Sequence, residues 1–408
     1  MRILMLSWEY PPHSVGGMGR HVTELVHDLV EQGVEVHLVT PLLRGGKRHE
    51  VKDGVHVYRV LAPSMADYSF VPFVRQTNIV LERAARRIQK KVGEIDLIHA
   101  HDWLCSQAAV ALKQAWRRPL ITTIHATERG RQQGHITTAQ SDEINSLEWW
   151  ISYESWRVIA CSRFMAQQIR NYFNIALDKI DVIPNGVVVQ AAPFQNEEER
   201  LTFRRRFVGD DDPLVFYVGR VVYEKGVHLL VNAWPRILAA FPRARLVIAG
   251  TGDNLEAVKH QARALGLQQQ VMFAGFISDE DRQRLYAAAS LAVFPSIYEP
   301  FGIVALEAMA AGCPVVVSST GGLAEVVQLH ETGLTIYPNN IDSLVWGIIN
   351  TLQHPDWAAL RAANALRDVH TLYGWQQIAS DTIKTYQRTI AEWRAESWGA
   401  ELVVQEPG

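Results

Sequence analysis

The sequence predicts an α/β protein built from two doubly wound parallel-sheet domains. Three observations carry this reading. First, Arg2 to Trp8 is a short apolar strand, followed by a loop holding Pro11, Pro12, Gly16 and Gly17. His21 to Gln32 then places Val22, Leu25, Val26, Leu29 and Val30 at helical spacing, and Val34 to Thr40 is a second strand. Strand, glycine loop, helix and strand make a βαβ unit, which implies a parallel sheet covered by helices on both faces. Second, a new alternating series starts near Pro213. Third, residues 187–212 between the two series carry no buried strand, but a charged run from Glu197 to Arg206.

Further elements follow in order. Leu97–Ala100, Leu120–Ile124 and Arg157–Ala160 are short buried strands of the first series, with helical patterns between them. In the second series Leu214–Val218, Arg245–Ala249, Val271–Ala274, Leu291–Phe294, Val315–Ser318 and Leu334–Tyr337 read as strands. Val227–Phe241, Leu255–Ala264 and Asp279–Ala288 read as helices between them. The stretch from Tyr373 to Trp393 repeats Trp375, Ile378, Ile383, Tyr386, Ile390 and Trp393 at helical spacing, a terminal helix that docks on core. The expected division is an N-terminal Rossmann-like domain over 1–185, a linker over 186–211 and a C-terminal Rossmann-like domain over 212–372. A C-terminal helix over 373–408 completes it.

Composition sets bounds. The chain has 408 residues, 48% of them hydrophobic, and a net charge of −3. That suits two globular domains and gives no basic excess for nucleic-acid binding. Three scattered cysteines, Cys105, Cys161 and Cys313, form neither a disulfide framework nor a zinc pattern. The opening apolar run is too short for a signal-peptide core. A reduced, cytoplasmic setting is the expectation.

Four constellations carry chemistry. Gly16-Gly17 sits where a strand turns into a helix. Backbone N–H groups there can face an anion, or the glycines can simply serve a tight turn with positive φ. Gly219-Arg-Val-Val-Tyr-Glu-Lys-Gly226 follows the first strand of the second domain. Arg220 and Lys225, five residues apart at a strand's carboxyl end, can clamp a diphosphate or be an ordinary basic loop. Tyr298-Glu-Pro-Phe-Gly-Ile-Val-Ala-Leu-Glu307 is the strongest signal. Glu299 at a strand-end crevice can accept hydrogen bonds from sugar hydroxyls. Phe301, Gly302 and Ile303 open a helix whose N–H groups and dipole face an anion. Glu307, eight residues after Glu299, lies in an apolar setting unusual for an idle charge. Thr320-Gly-Gly322 opens the next helix at the same crevice.

The fourth constellation is histidine-rich. His125 ends a strand, as does His99-Ala-His101-Asp102-Trp103. Asp102 can orient an imidazole or bind an acceptor hydroxyl. His99, His101 and His125 fit no standard zinc spacing, so no metal site is expected.

Together these segments resemble retaining glycosyltransferases of family 4, which adopt the GT-B fold. The resemblance covers nearly the whole chain and is most specific in the Arg220/Lys225 pair and the Glu299–Glu307 spacing. It implies two domains facing a central cleft, a nucleotide-sugar donor held mainly by the C-terminal one, and catalysis without a metal or other cofactor. It implies that Arg220 and Lys225 bind the diphosphate and Gly17 donates backbone hydrogen bonds to it. Glu299 would bind donor-sugar hydroxyls, Glu307 the ribose, and His125 the sugar near its anomeric carbon. Gly275, Phe276 and Ile277 would border the nucleobase.

Trp8-Glu-Tyr-Pro-Pro12, His99–Trp103 and Thr122–Glu128 are similar to the glycogen/starch-synthase-like branch. That implies a glucosyl donor, ADP-glucose or UDP-glucose, and an α-glucan or sugar-phosphate acceptor. The chain departs from the bacterial glycogen synthase pattern in lacking a Lys before Gly16-Gly17 and in being shorter. Glu128 to Trp156, with Trp149, Trp150, Tyr153 and Trp156, can shape an acceptor site or be core. A lipid-linked acceptor is the alternative: Arg83, Arg86, Arg87, Lys90 and Lys91 share one helix face opposite Ile79, Val80, Ala84, Ile88 and Val92, a face suited to an anionic membrane or to plain solvent. Outside this class stand an NAD-dependent oxidoreductase, disfavoured by the missing Gly-x-Gly-x-x-Gly, a phosphorylase or epimerase of the same fold, and a non-catalytic nucleotide-sugar binder.

Overall fold

The computed structural model describes residues 1–396, so the last part of the expected terminal helix, 397–408, lies outside the described residues. Two compact units emerge: Met1–Gly186 together with the segment from Trp375, and Val187–Gly374.

The first unit runs β1 (Arg2–Leu6), α1 (Gly17–Glu31), β2 (Glu35–Leu42), β3 (His49–Lys52), β4 (Val55–Leu61), α2 (Phe70–Val92), β5 (Leu97–His101), α3 (Ser106–Trp116), β6 (Leu120–Ile124), α4 (Glu128–Arg131), α5 (Ala139–Glu154), β7 (Arg157–Ala160), α6 (Arg163–Phe173) and β8 (Ile180–Val182). The strand order is β3-β4-β2-β1-β5-β6-β7-β8. All pairs are parallel except β3 with β4. The order reverses between β1 and β5, so the loops after these strands open at the switch point, where doubly wound sheets bind ligands. Helix α1 starts at the glycine pair itself, four residues earlier than the apolar periodicity implies. The β3–β4 pair and β8 are additions to the predicted strands.

The second unit begins with α7 (Glu197–Arg204) and continues β9 (Leu214–Val218), α8 (Val227–Ala240), β10 (Arg245–Ala249), α9 (Leu255–Ala264), β11 (Val271–Gly275), α10 (Asp279–Ala288), β12 (Leu291–Phe294), α11 (Ile303–Ala310), β13 (Val315–Ser318), α12 (Leu323–Val326), β14 (Leu334–Ile336), α13 (Ile341–Gln353) and α14 (Pro355–Leu372). Its wholly parallel sheet has the order β11-β10-β9-β12-β13-β14, with the reversal between β9 and β12. Fully buried strands such as Leu291–Phe294 read as unbroken apolar runs, which is why the sequence marks them so cleanly. The expected linker over 186–211 is part of this unit. Its helix α7 packs on α10, with Phe203 and Arg204 buried. The Arg204 guanidinium donates to the carbonyls of Ala288 and Asp212.

The chain then rejoins the first unit as α15 (Trp375–Ala395), which packs on α1. Trp375, Ile378, Tyr386, Ile390 and Trp393 are buried there. A Cβ on Gly186 would lie 2.6 Å from the Trp375 ring, so only glycine admits that indole. The three cysteines are buried and outside any disulfide. Among the described residues no helix is long and apolar enough to cross a membrane.

Candidate active site

The second unit gathers its predicted residues on the loops after β9 and β12, the two strands flanking its switch point. The Lys225 Nζ lies 2.7 Å from the Glu299 Oε2, with side chains only 16% and 10% exposed. The Ser296 hydroxyl donates to the same oxygen at 3.3 Å. The backbone locks the two loops together: the N–H groups of Ile297 and Tyr298 donate to the Glu224 carbonyl at 2.8 and 3.2 Å. Gly226 makes this approach possible. It has φ +69°, and a Cβ there would come within 2.0 Å of the Pro295 carbonyl oxygen. The Arg220 side chain is about half exposed and lies 3.5 Å from the Glu224 carboxylate.

A third loop closes on these two. The Gly322 N–H donates to the Glu299 carbonyl at 3.0 Å, and a Cβ on Gly322 would lie 2.4 Å from the Phe301 Cα. Phe301 is buried, and Gly302, at φ +108°, turns the chain into α11. The free N–H groups around Ile303 therefore open beside Glu299, the arrangement that favours anions. One turn later the Glu307 carboxylate, 11% exposed, meets the Arg282 Nε at 3.2 Å, and Arg282 also bonds Asp279 at 2.9 Å. Nothing in the linear pattern signals Arg282, because its partner lies 25 residues away on another helix. A register shift between Ile248 and Ala249 lets β11 end at Gly275 with φ +65°. Phe276 is thrown outward, 86% exposed, while Ile277 is half-buried. An aromatic ring so exposed beside a ligand crevice can stack on a flat base.

In the first unit the glycine loop has a different logic from the tight turn weighed above. Gly16 is extended, with φ −153°, and Gly17 is the first helical residue. Neither has positive φ. No atom lies within 4 Å of where a Gly16 Cβ would be, so what the glycine keeps clear is open space. The loop is shaped by Glu9, whose Oε2 accepts the N–H groups of Val15 and Gly16 at 2.8 and 3.0 Å.

Asp102 is buried, with φ +58°, a costly conformation for a residue with a side chain. Its carboxylate accepts the backbone N–H of His125 at 2.7 Å. It thus fixes the loop that carries His125. Burial pushes its carboxyl up to about 6, against the backbone N–H groups and Arg131. Burial likewise pushes His125 down to about 3, so the imidazole is neutral. Glu148, unmarked in the sequence reading, is fully buried on α5, and both its oxygens accept the Glu128 N–H at 2.9 Å. That bond fixes the start of α4, three residues beyond His125. Burial pushes the Glu148 carboxyl up to about 8.

The aromatic run splits. Trp149 and Tyr153 are exposed and stacked, centroids 5.5 Å apart, while Trp150 and Trp156 are half-buried. Helix α2 docks its apolar residues Phe73, Val74, Leu81, Ala85 and Ile88 in the core. Ile79 instead points to solvent with the cations. Arg83, Arg87, Lys90 and Lys91 are exposed, and Arg86 bonds Glu82 at 2.8 Å.

Comparison with known proteins covers both units. Residues 15–191 match the family described as Glycosyltransferase Family 4, and residues 199–367 the one described as Glycosyl transferases group 1. The chain is 38% identical over 399 residues to an uncharacterised glycosyltransferase of Methanocaldococcus jannaschii, covering 95% of this chain and 98% of that one. It is 36% identical over 403 residues to a glycogen synthase of Mycobacterium tuberculosis, covering 95% and 94%. Among solved structures it is similar to a sucrose-phosphate synthase from Thermosynechococcus elongatus, with TM-score 0.84, 26% identity and coverage of 96% and 99%.

Proposed function

Because the chain belongs to the glycosyltransferases of family 4 and group 1, with the GT-B fold and a likeness to the glycogen/starch-synthase-like branch, we propose that it moves a glucosyl group from ADP-glucose or UDP-glucose to an α-glucan or sugar-phosphate acceptor, with retention of configuration. The observation that carries this reading is the Lys225–Glu299 contact, with Arg220 beside it and the α11 N-terminus next to it. A carboxylate for sugar hydroxyls and cations for a diphosphate sit within one crevice at a sheet's switch point.

Each group then has a task. Arg220 and Lys225 bind the donor diphosphate and meet its growing negative charge as the glycosidic bond breaks. Donors on Gly17 and around Ile303 add neutral hydrogen bonds to it. Glu299 holds donor-sugar hydroxyls, and Glu307, steadied by Arg282, holds the ribose. Phe276 and Ile277 border the base. The neutral His125 imidazole offers a lone pair toward positive charge at the anomeric carbon, with Asp102 fixing its loop. These fixed cations do the work that a metal does in other diphosphate-leaving reactions, so transfer needs no metal. Acceptor attack comes on the face the diphosphate leaves, and the departing phosphate oxygen takes the acceptor's proton.

A saccharide acceptor is favoured over a lipid-linked one, since α2 buries its apolar stripe and offers a membrane little beyond charge. The test is to incubate the protein with each donor and maltooligosaccharides or sugar phosphates, and to read the new anomeric signal by proton NMR. An α-linked product from an α-linked donor supports the reading. A β-linked product refutes retention, and an adduct on the protein found by intact mass refutes same-face attack.

A further inference from the structure

Four imidazoles meet beneath the carboxyl ends of β5 and β6. His99 and His101 point to one side of β5, as alternate residues of a strand do. His125 follows β6, and His21 comes from α1. His99 is fully used: its Nδ1 meets the Tyr386 hydroxyl at 2.6 Å and its Nε2 the Thr123 hydroxyl at 2.8 Å. The other three are not. One ring nitrogen from each of His21, His101 and His125 lies within 4.8 Å of the other two. The His21 Nδ1 is 2.7 Å from the Asn185 Oδ1, an oxygen that only accepts, so the proton is on Nδ1 and the Nε2 carries a bare lone pair. That Nε2 is buried and has no partner, and the same holds for the His101 Nε2. A buried acceptor left unsatisfied costs about 1–3 kcal/mol, so the His21 Nε2 asks for a ligand, and the unpartnered His101 Nε2 can take up a proton displaced from that ring's Nδ1.

We propose that His21, His101 and His125 form a binding site for a divalent first-row transition ion of the zinc and cobalt class. The geometry is close to what such an ion needs. The His101 Nδ1 and His125 Nε2 are already 3.1 Å apart, near the roughly 3.3 Å between two nitrogens that each lie about 2.0–2.1 Å from a tetrahedral ion. In the metal-free protein those two nitrogens share one proton. When the ion enters, that proton moves to the other nitrogen of the ring that carries it, and the three rings stay neutral. His21 needs no such change, because Asn185 already holds it in the ligating tautomer, the support that metal-bound histidines usually receive from a neighbour. Burial keeps all three imidazoles neutral, the form that binds metal. Three ligands leave a fourth position for water. The sequence spacing hid the site because its ligands come from three separate segments, and because His99, which resembles a ligand in the linear pattern, is occupied elsewhere.

The consequence rests on the glycosyltransferase reading, while the site itself does not. Ligation takes the His125 lone pair away from the donor sugar, so the metal-loaded protein is the inactive form and a chelator restores it.

The experiment uses untagged, chelator-treated full-length protein and Co²⁺ alone. The expected result is one equivalent bound, with the intense visible bands of tetrahedral cobalt, displaced by Zn²⁺. His21→Gln should lose those bands and weaken binding at least tenfold while keeping its circular dichroism. Should that variant misfold, imidazole ¹H–¹⁵N spectra of the wild-type protein give the same answer: one equivalent of Zn²⁺ should shift three histidine rings. Folded wild-type protein showing neither cobalt bands nor histidine shifts overturns the site, as do bands that survive in both His21→Gln and His101→Gln. If bands form but no donor is turned over, the functional reading fails and the site stands. If transfer proceeds and Zn²⁺ neither binds nor inhibits, the reverse holds.

Discussion

Replacing Lys225 with methionine keeps most of the side chain's length and removes its charge. In the resting protein this strands the Glu299 carboxylate, 10% exposed, with the Ser296 hydroxyl at 3.3 Å as its remaining side-chain contact noted above. Leaving a mostly buried carboxylate short of a partner costs about 1–3 kcal/mol. For a domain of this size each kcal/mol lowers Tm by about 2–4 °C, so a fall of about 4–8 °C is the central expectation. The effect on turnover has a different origin. Lys225 faces the charge that grows on the leaving diphosphate, and removing one such group costs about 10²- to 10³-fold in kcat. The two effects separate in the double variant Lys225→Met/Glu299→Gln. Neutralising the stranded carboxylate there should recover most of the Tm and none of the kcat. The assay is donor-saturated nucleoside diphosphate release beside a melting curve. A kcat within threefold of wild type in Lys225→Met, or a kcat restored along with Tm in Lys225→Met/Glu299→Gln, would refute the reasoning and leave the pair a structural brace.

Three more outcomes are expected. Glu307→Ala should raise KM for the nucleotide sugar about 10- to 100-fold with a smaller change in kcat, because charged hydrogen bonds to ribose are worth about 1.5–3 kcal/mol and are made equally before and during reaction; steady-state kinetics decide. Gly226→Ala should cost roughly 2–4 kcal/mol, combining left-handed backbone strain with the clash on the Pro295 carbonyl; a denaturant midpoint unchanged from wild type contradicts the loop geometry. Glu148, raised from 4.5 to about 8, keeps in the folded state a proton that the unfolded chain has lost, so its contribution to stability is complete below about pH 4.5 and is lost as pH rises through about 8. Glu148→Gln removes that slope, and its stability relative to wild type should rise by on the order of 3 kcal/mol between pH 5 and pH 8.5; a pH-independent difference in chemical denaturation contradicts this.

Much of the fold is legible in the sequence because parallel strands buried on both faces are continuous apolar runs. Leu120–Ile124, Leu214–Val218 and Leu291–Phe294 are marked to the residue. The missed elements are those that are not buried so. Strand β3 is an edge, His-Glu-Val-Lys, mostly exposed, and β8 has three residues. The alternation Val55-His-Val-Tyr-Arg-Val was a readable strand signal for β4. In the site, residues tied to a local pattern were visible: Arg220, Lys225, Glu299 and Glu307 sit at fixed offsets from a strand end. Glu9, Glu148 and Arg282 act through contacts with backbone or side chains elsewhere in the fold, and His21 joins His101 and His125 across 80 and 104 residues of chain. Such partners exist only once the sheet is assembled.

The central claim is that the crevice after β9 and β12 binds a nucleotide sugar. Its most direct test is a melting panel of wild-type protein with ADP-, UDP- and GDP-glucose, the matching diphosphates and NAD, since a ligand that binds only the folded state must raise Tm. A rise with ADP-glucose or UDP-glucose that Glu307→Ala greatly reduces is the expected result. A rise with NAD and with none of the nucleotide sugars would contradict it.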